Sequence, residues 1–198
     1  MSSHPLLLRP PTRQMARVSA DRTDLDPAGQ GAVLVELDAL IVQDPENPRA
    51  LDDAGLALDR VASLTDPVVL AGERVAGRLL PADPEERIAW VREALARPEL
   101  QVVPVAVQYS ERRTEAADRS LVGAWRAIRP AGAVAWLLTG DPRAVGPARR
   151  AGLRVVRIGP RPAGIEADIE RPDYEARDLR DAVNHLLVSD AFPTVPAR

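Results

Sequence analysis

The sequence predicts an α/β fold: a three-layer, Rossmann-like, mostly parallel sheet flanked by helices. Three observations predict it. Short aliphatic runs alternate with amphipathic stretches of helical period through residues 31–188. The run AVLVELDALIV at 32–42 reads as an apolar strand closing on two carboxylates, Glu36 and Asp38. A second run, AVAWLL at 133–138, closes on Thr139-Gly140-Asp141-Pro142. Acids at the carboxyl ends of parallel strands stand where open α/β sheets hold their ligands.

Taken in order, residues 1–30 carry Pro5, Pro10, Pro11 and Pro27 among scattered charges, including Arg9, Arg13, Arg17 and Arg22, and are expected to form a mobile arm. A strand is expected at 33–37, where strand alternation would send Glu36 and Asp38 off one face together. Pro48 interrupts the chain before a helix over 52–62, with Leu56, Leu58 and Val61 as its apolar positions. Residues 67–71 (PVVLA) read as a short strand. Asp83-Pro84-Glu85-Glu86 is a helix start, with an N-cap acid, proline at the first helical position and acids in the first turn. Ile88, Val91 and Leu95 give that helix its stripe, with Trp90 beside it. Pro104 marks the run at 101–108 as an edge strand or a bulge.

A further helix is expected at 118–128 (Leu121, Trp125, Ile128), then the strand at 133–138. Asp141 before Pro142 can cap a helix over 143–151, which Gly152 stops. Residues 153–158 form the next strand, ended by Gly159-Pro160, and a last amphipathic helix covers 174–188 with Leu179, Val183, Leu186 and Leu187. The expected organisation is therefore an arm (1–30), one α/β domain (31–188) and a tail (189–198).

Composition narrows the chemistry. Hydrophobic residues at 45% and charged residues at 28% describe a folded domain rather than a disordered chain. A net charge of -3 provides no basic field for nucleic acid. All 26 basic residues are Arg, a bias typical of GC-rich bacterial coding, so lysine Schiff bases, a P-loop lysine and an ammonium phosphate clamp are excluded. The absence of cysteine removes thiol catalysis, disulfides and Cys-type zinc sites. Leu6-Leu7-Leu8 is too short for a signal-peptide core and no run is long enough to span a membrane, so a cytoplasmic location is expected. His4 and His185 lack ligand-spaced partners, and Trp90, Trp125 and Trp136 read as core or interface.

The strand ending in Glu36 and Asp38 resembles the first motif of the haloacid dehalogenase (HAD) superfamily, an apolar strand followed by Asp-x-Asp-x-Thr. The segment AVAWLLTGDPRAVGPARRAGLRVVRIGP at 133–160 looks like that family's last motif and its sequel. The resemblance covers roughly residues 32–160 and implies a HAD-like domain with little or no cap. It also implies roles: Glu36 at the nucleophile position, Asp38 as general acid and base, and Glu36, Asp38 and Asp141 as Mg²⁺ ligands. On that reading, strands 33–37 and 133–138 are adjacent and parallel, and the three carboxylates converge.

Five features depart from the family pattern. Glu36 is one methylene longer than Asp, and Leu40 stands where Thr is expected. A phosphate-holding hydroxyl is missing at Leu70-Ala71-Gly72, and Tyr109-Ser110 comes late in the element order. Only Arg112, Arg113 or Arg119 can replace the family's Lys, and Ala144 and Val145 occupy the region of its second late acid. The expectation is a degenerate phosphatase, a non-catalytic binding or accessory protein with weak Mg²⁺ binding. Its expected partners are another protein or a second copy, or a small phosphorylated ligand, and neither nucleic acid nor membrane. The alternative is an atypical Mg²⁺-dependent HAD-family hydrolase acting on a small phosphorylated metabolite. In a third reading the Gly-Asp match is accidental and the chain is an unrelated Rossmann-like binding domain.

Overall fold

The computed structural model describes residues 31–42, 44, 46–105, 134–160 and 171–189. Eight strands are present among them: β1 (Ala32–Glu36), β2 (Pro67–Ala71), β3 (Arg74–Val75), β4 (Arg78–Leu79), β5 (Gln101–Pro104), β6 (Ala135–Thr139), β7 (Arg154–Ile158) and β8 (Tyr174–Ala176). The helices are α1 (Ala54–Ala62), α2 (Pro84–Ala94), α3 (Val145–Arg150) and α4 (Leu179–Val188). Six strands form one sheet in the order β5-β2-β1-β6-β7-β8. Every pairing in it is parallel, as expected for βαβ units. The expected neighbours β1 and β6 pair from Ala32↔Ala135 to Val35↔Leu138.

The central strands read as continuous apolar runs because both sheet faces are covered. Val33, Val35, Val69, Trp136, Leu138 and Val156 face α1, α2 and α4 in one core layer. Leu34, Val68, Leu70, Leu137 and Val155 face the other way, against Val145 and Ala148 of α3. This is the predicted three-layer arrangement. Among the described residues Pro104 does sit on the edge strand, β5, where its missing N–H costs the ladder nothing. Asp83 caps α2 by accepting from the Glu86 backbone N–H at 2.9 Å. No helix among the described residues is long and apolar enough to cross a membrane.

Several expectations are corrected. β1 stops at Glu36, and Leu37–Ala39 form a 3₁₀ turn. Leu56, expected in the core, is 56% exposed, and α1 is buried through Ala54, Ala57, Leu58 and Val61. The last helix does not begin at Tyr174. Residues Tyr174–Ala176 pair with β7, and Asp178 caps α4 by accepting from the Asp181 N–H at 2.8 Å. A three-residue edge strand is fixed by its neighbour rather than by its own pattern, so the helical period masked it. A β3–β4 hairpin, which the sequence had not disclosed, lies between β2 and α2. Its two-residue loop, Ala76-Gly77, has φ of 49° and 80°, the left-handed geometry that suits the twist of tight hairpins. The arm 1–30, the helix at 118–128 and all of the tail after Ser189 lie outside the described residues.

Candidate active site at the sheet switch point

From β1 the sheet grows through β2 to β5 on one side and through β6 to β8 on the other. The β1/β6 boundary is therefore the switch point, where loops leaving the strand ends diverge and open a crevice. Glu36 ends β1, and Thr139 to Asp141 end β6 at the same level, so the structure brings these two predicted segments together.

The three predicted acids are nevertheless handled differently. Alternation holds only while the backbone stays extended, and the 3₁₀ turn after Glu36 ends it. Glu36 remains on the α3 face of the sheet and is 7% exposed. Its carboxylate Oε2 accepts the Thr139 hydroxyl. Asp38 is exposed, and its Oδ1 accepts the Ala76 backbone N–H at 2.9 Å, tying the β3–β4 hairpin to the end of β1.

Asp141 caps the turn at Pro142, as its sequence context predicts, by accepting from the Arg143 backbone N–H at 2.8 Å. The Arg143 side chain then folds back on the same carboxylate. Nε lies 3.0 Å from Oδ1 and 3.1 Å from Oδ2, and Nη2 lies 2.7 Å from Oδ2. Among the described residues, no group of three or more His, Cys, Asp or Glu side chains is placed to hold a metal ion. As arranged, each of the three carboxylates already accepts a hydrogen bond from the protein itself.

Two contributors lay outside the sequence reasoning. Thr139, fully buried, donates to Glu36 and accepts the Asp141 N–H at 2.9 Å, so one hydroxyl joins the two strand ends. The strand register extends this row across the sheet. Thr139 is opposite Arg157, and Arg157 is opposite Glu175. The Arg157 guanidinium is 3% exposed as a residue, donates to the Pro160 carbonyl at 2.9 Å and lies 3.5 Å from Glu175. A hydroxyl and a guanidinium at the ends of otherwise apolar strands were the available signal, but only register shows that they share a row with Glu36. Elsewhere, His185 is structural: it stacks on Tyr174 at 3.8 Å and meets the buried Trp136 edge-on at 5.8 Å. Ser110, Arg112, Arg113 and Arg119 lie outside the described residues.

A parallel sheet in this order, with acids at the ends of β1 and β6 flanking the switch point, decides the fold. It is the haloacid dehalogenase-like fold. A D,D-heptose 1,7-bisphosphate phosphatase from Burkholderia thailandensis superposes with a TM-score of 0.55 at 17% identity, over 80% of this chain and 99% of that one. The corresponding phosphatase from B. bronchiseptica, solved with magnesium and phosphate, gives 0.59 at 13% identity, over 81% and 99%. An L-2-haloacid dehalogenase from Xanthobacter autotrophicus gives 0.53 at 16% identity, over 71% of this chain and 62% of that one. No protein-family model and no curated protein matches the sequence. The HAD-like assignment thus rests on backbone architecture, with identities too low to transfer an activity.

Proposed function

We propose that this HAD-like chain is a pseudoenzyme that binds a small phosphorylated ligand or a protein partner at the switch-point crevice without turning over phosphate esters. One observation carries the reading: the carboxylates at the nucleophile position and at the late metal-ligand position are committed to the protein itself. Glu36 is buried against Thr139, and Asp141 is clasped by Arg143. A nucleophile must be positioned to attack, and a misplacement of about 1 Å can cost on the order of 100-fold in rate. The absent lysine and the apolar Leu70-Ala71 strand end remove two further sources of transition-state stabilisation. Such losses act as a unit, so restoring one residue recovers little.

The test is steady-state turnover of p-nitrophenyl phosphate and of D,D-heptose 1,7-bisphosphate, the substrate named for two structural neighbours, with Mg²⁺ present. The reading expects rates near background in the unmodified chain and in Glu36→Asp. The second reading, an atypical hydrolase of a phosphorylated metabolite, is favoured by one feature: Asp38 is exposed at the end of β1, where a general acid and base would stand. Clear turnover abolished by Asp38→Asn would establish that reading and remove the first.

A further inference from the structure

We propose that Arg143 is the resident counter-ion of the crevice, and that its guanidinium closes the Asp141 carboxylate to divalent cations. The inference deepens the pseudoenzyme reading and rests on it, since it concerns how the same crevice binds ligands once metal-dependent chemistry is gone.

The geometry sets three N–H donors of one residue against both oxygens of Asp141. The Arg143 backbone N–H reaches Oδ1 at 2.8 Å and Nη2 reaches Oδ2 at 2.7 Å, while the single Nε–H is shared between the two oxygens, at 3.0 and 3.1 Å. The contacts come from a single residue two positions along the chain. Pro142 fixes the intervening φ, so the turn presents the amide of Arg143 to the carboxylate, and the side chain folds back onto the same group. The carboxylate lies beneath the fork: the Asp141 side chain is 19% exposed and that of Arg143 53%. Screening by water is correspondingly weaker for the pair than for two charges in the open.

Chemistry reinforces geometry. Guanidinium matches a carboxylate with two parallel N–H donors and stays charged at any physiological pH. Mg²⁺ gives up its water reluctantly and needs several oxygens at fixed angles. To bind Asp141 it must displace the fork, shed water and lie beside a positive charge, while Asp38 is engaged with the Ala76 amide and Glu36 with Thr139. A phosphorylated ligand entering the crevice would meet a guanidinium already in place of the metal.

Isothermal titration of the full chain with MgCl₂ alone tests this, with far-UV circular dichroism confirming that each variant is folded. The variants are Arg143→Ala and Arg143→Gln, both at a half-exposed position. Removing a charge-assisted bidentate pair should tighten Mg²⁺ binding about ten- to hundredfold over the unmodified chain. Adding Asp141→Asn to either variant should abolish the gain. Equal affinity in the unmodified chain and both variants overturns the proposal, as does unmodified binding that Asp141→Asn removes. The two readings fail separately. Tight Mg²⁺ binding without turnover sinks the counter-ion alone, whereas turnover without Mg²⁺ binding sinks the pseudoenzyme reading and leaves the counter-ion standing.

Discussion

Replacing Thr139 by Val tests whether the hydroxyl joins the ends of β1 and β6. Valine keeps the branched shape of a fully buried side chain and deletes one donor and one acceptor. The donor serves the Glu36 carboxylate, and a hydrogen bond to a charged group contributes about 1.5–3 kcal/mol. The acceptor holds the Asp141 N–H at 2.9 Å, a neutral bond contributing about 1 kcal/mol. Glu36 keeps further interactions, which places the combined loss at about 2–4 kcal/mol. For a chain of this size each kcal/mol lowers Tm by about 2–4 °C, so a fall of about 5–15 °C is expected. Thermal unfolding followed by circular dichroism measures the shift, and urea unfolding followed by tryptophan fluorescence measures the free-energy loss. Thr139→Ser should cost about 1 kcal/mol, the loss of one buried methyl with both bonds retained. In a Glu36→Gln background the Val substitution should cost less, because the acceptor is then neutral. A Thr139→Val loss within about 0.5 kcal/mol of zero, the range of an uninvolved surface change, would refute the reasoning.

Three further outcomes follow from the same structure. Asp83→Ala removes the side chain that accepts the Glu86 N–H and should cost about 1 kcal/mol in urea unfolding, with Asp83→Asn nearly neutral. Gly152 has φ of 82° with open space where a Cβ would stand, so Gly152→Ala should cost about 1–2 kcal/mol from backbone strain alone; a smaller loss would mean the turn relaxes. Burial holds the His185 imidazole below its usual pKa, with the Asp181 carboxylate opposing. The unfolded chain then takes up the proton first, near about pH 6.5, so the stability present above that pH falls as pH drops toward the lower folded value. His185→Phe, stacked between Tyr174 and Trp136, should flatten that part of the pH–stability curve, and an unchanged slope would assign the dependence to other groups.

The architecture and its local punctuation are legible in the order of the amino acids. The Asp83-Pro84 helix start, the Asp141 cap and the Gly152 stop depend on contacts within a few residues, and the apolar runs at 67–71 and 101–108 mark their strands by composition, the second ending at Pro104 as a strand. The same order also placed acids at the ends of two apolar strands, and parallel pairing then set those ends side by side. What depends on neighbours distant in the chain was decided by tertiary structure. Tyr174–Ala176 becomes a strand because β7 offers an edge, although the segment continues a helical pattern. Asp38 leaves the face of Glu36 because the backbone turns, and it is fixed by an amide 38 residues away. Glu36 is committed by a hydroxyl 103 residues away. Arg143 was visible in the sequence beside Asp141, but a spacing of two residues does not say whether a long, rotatable side chain points to water or folds back onto the carboxylate. The motif therefore identified which acids occupy the crevice, and the packing of β1 against β6 decided what each of them holds.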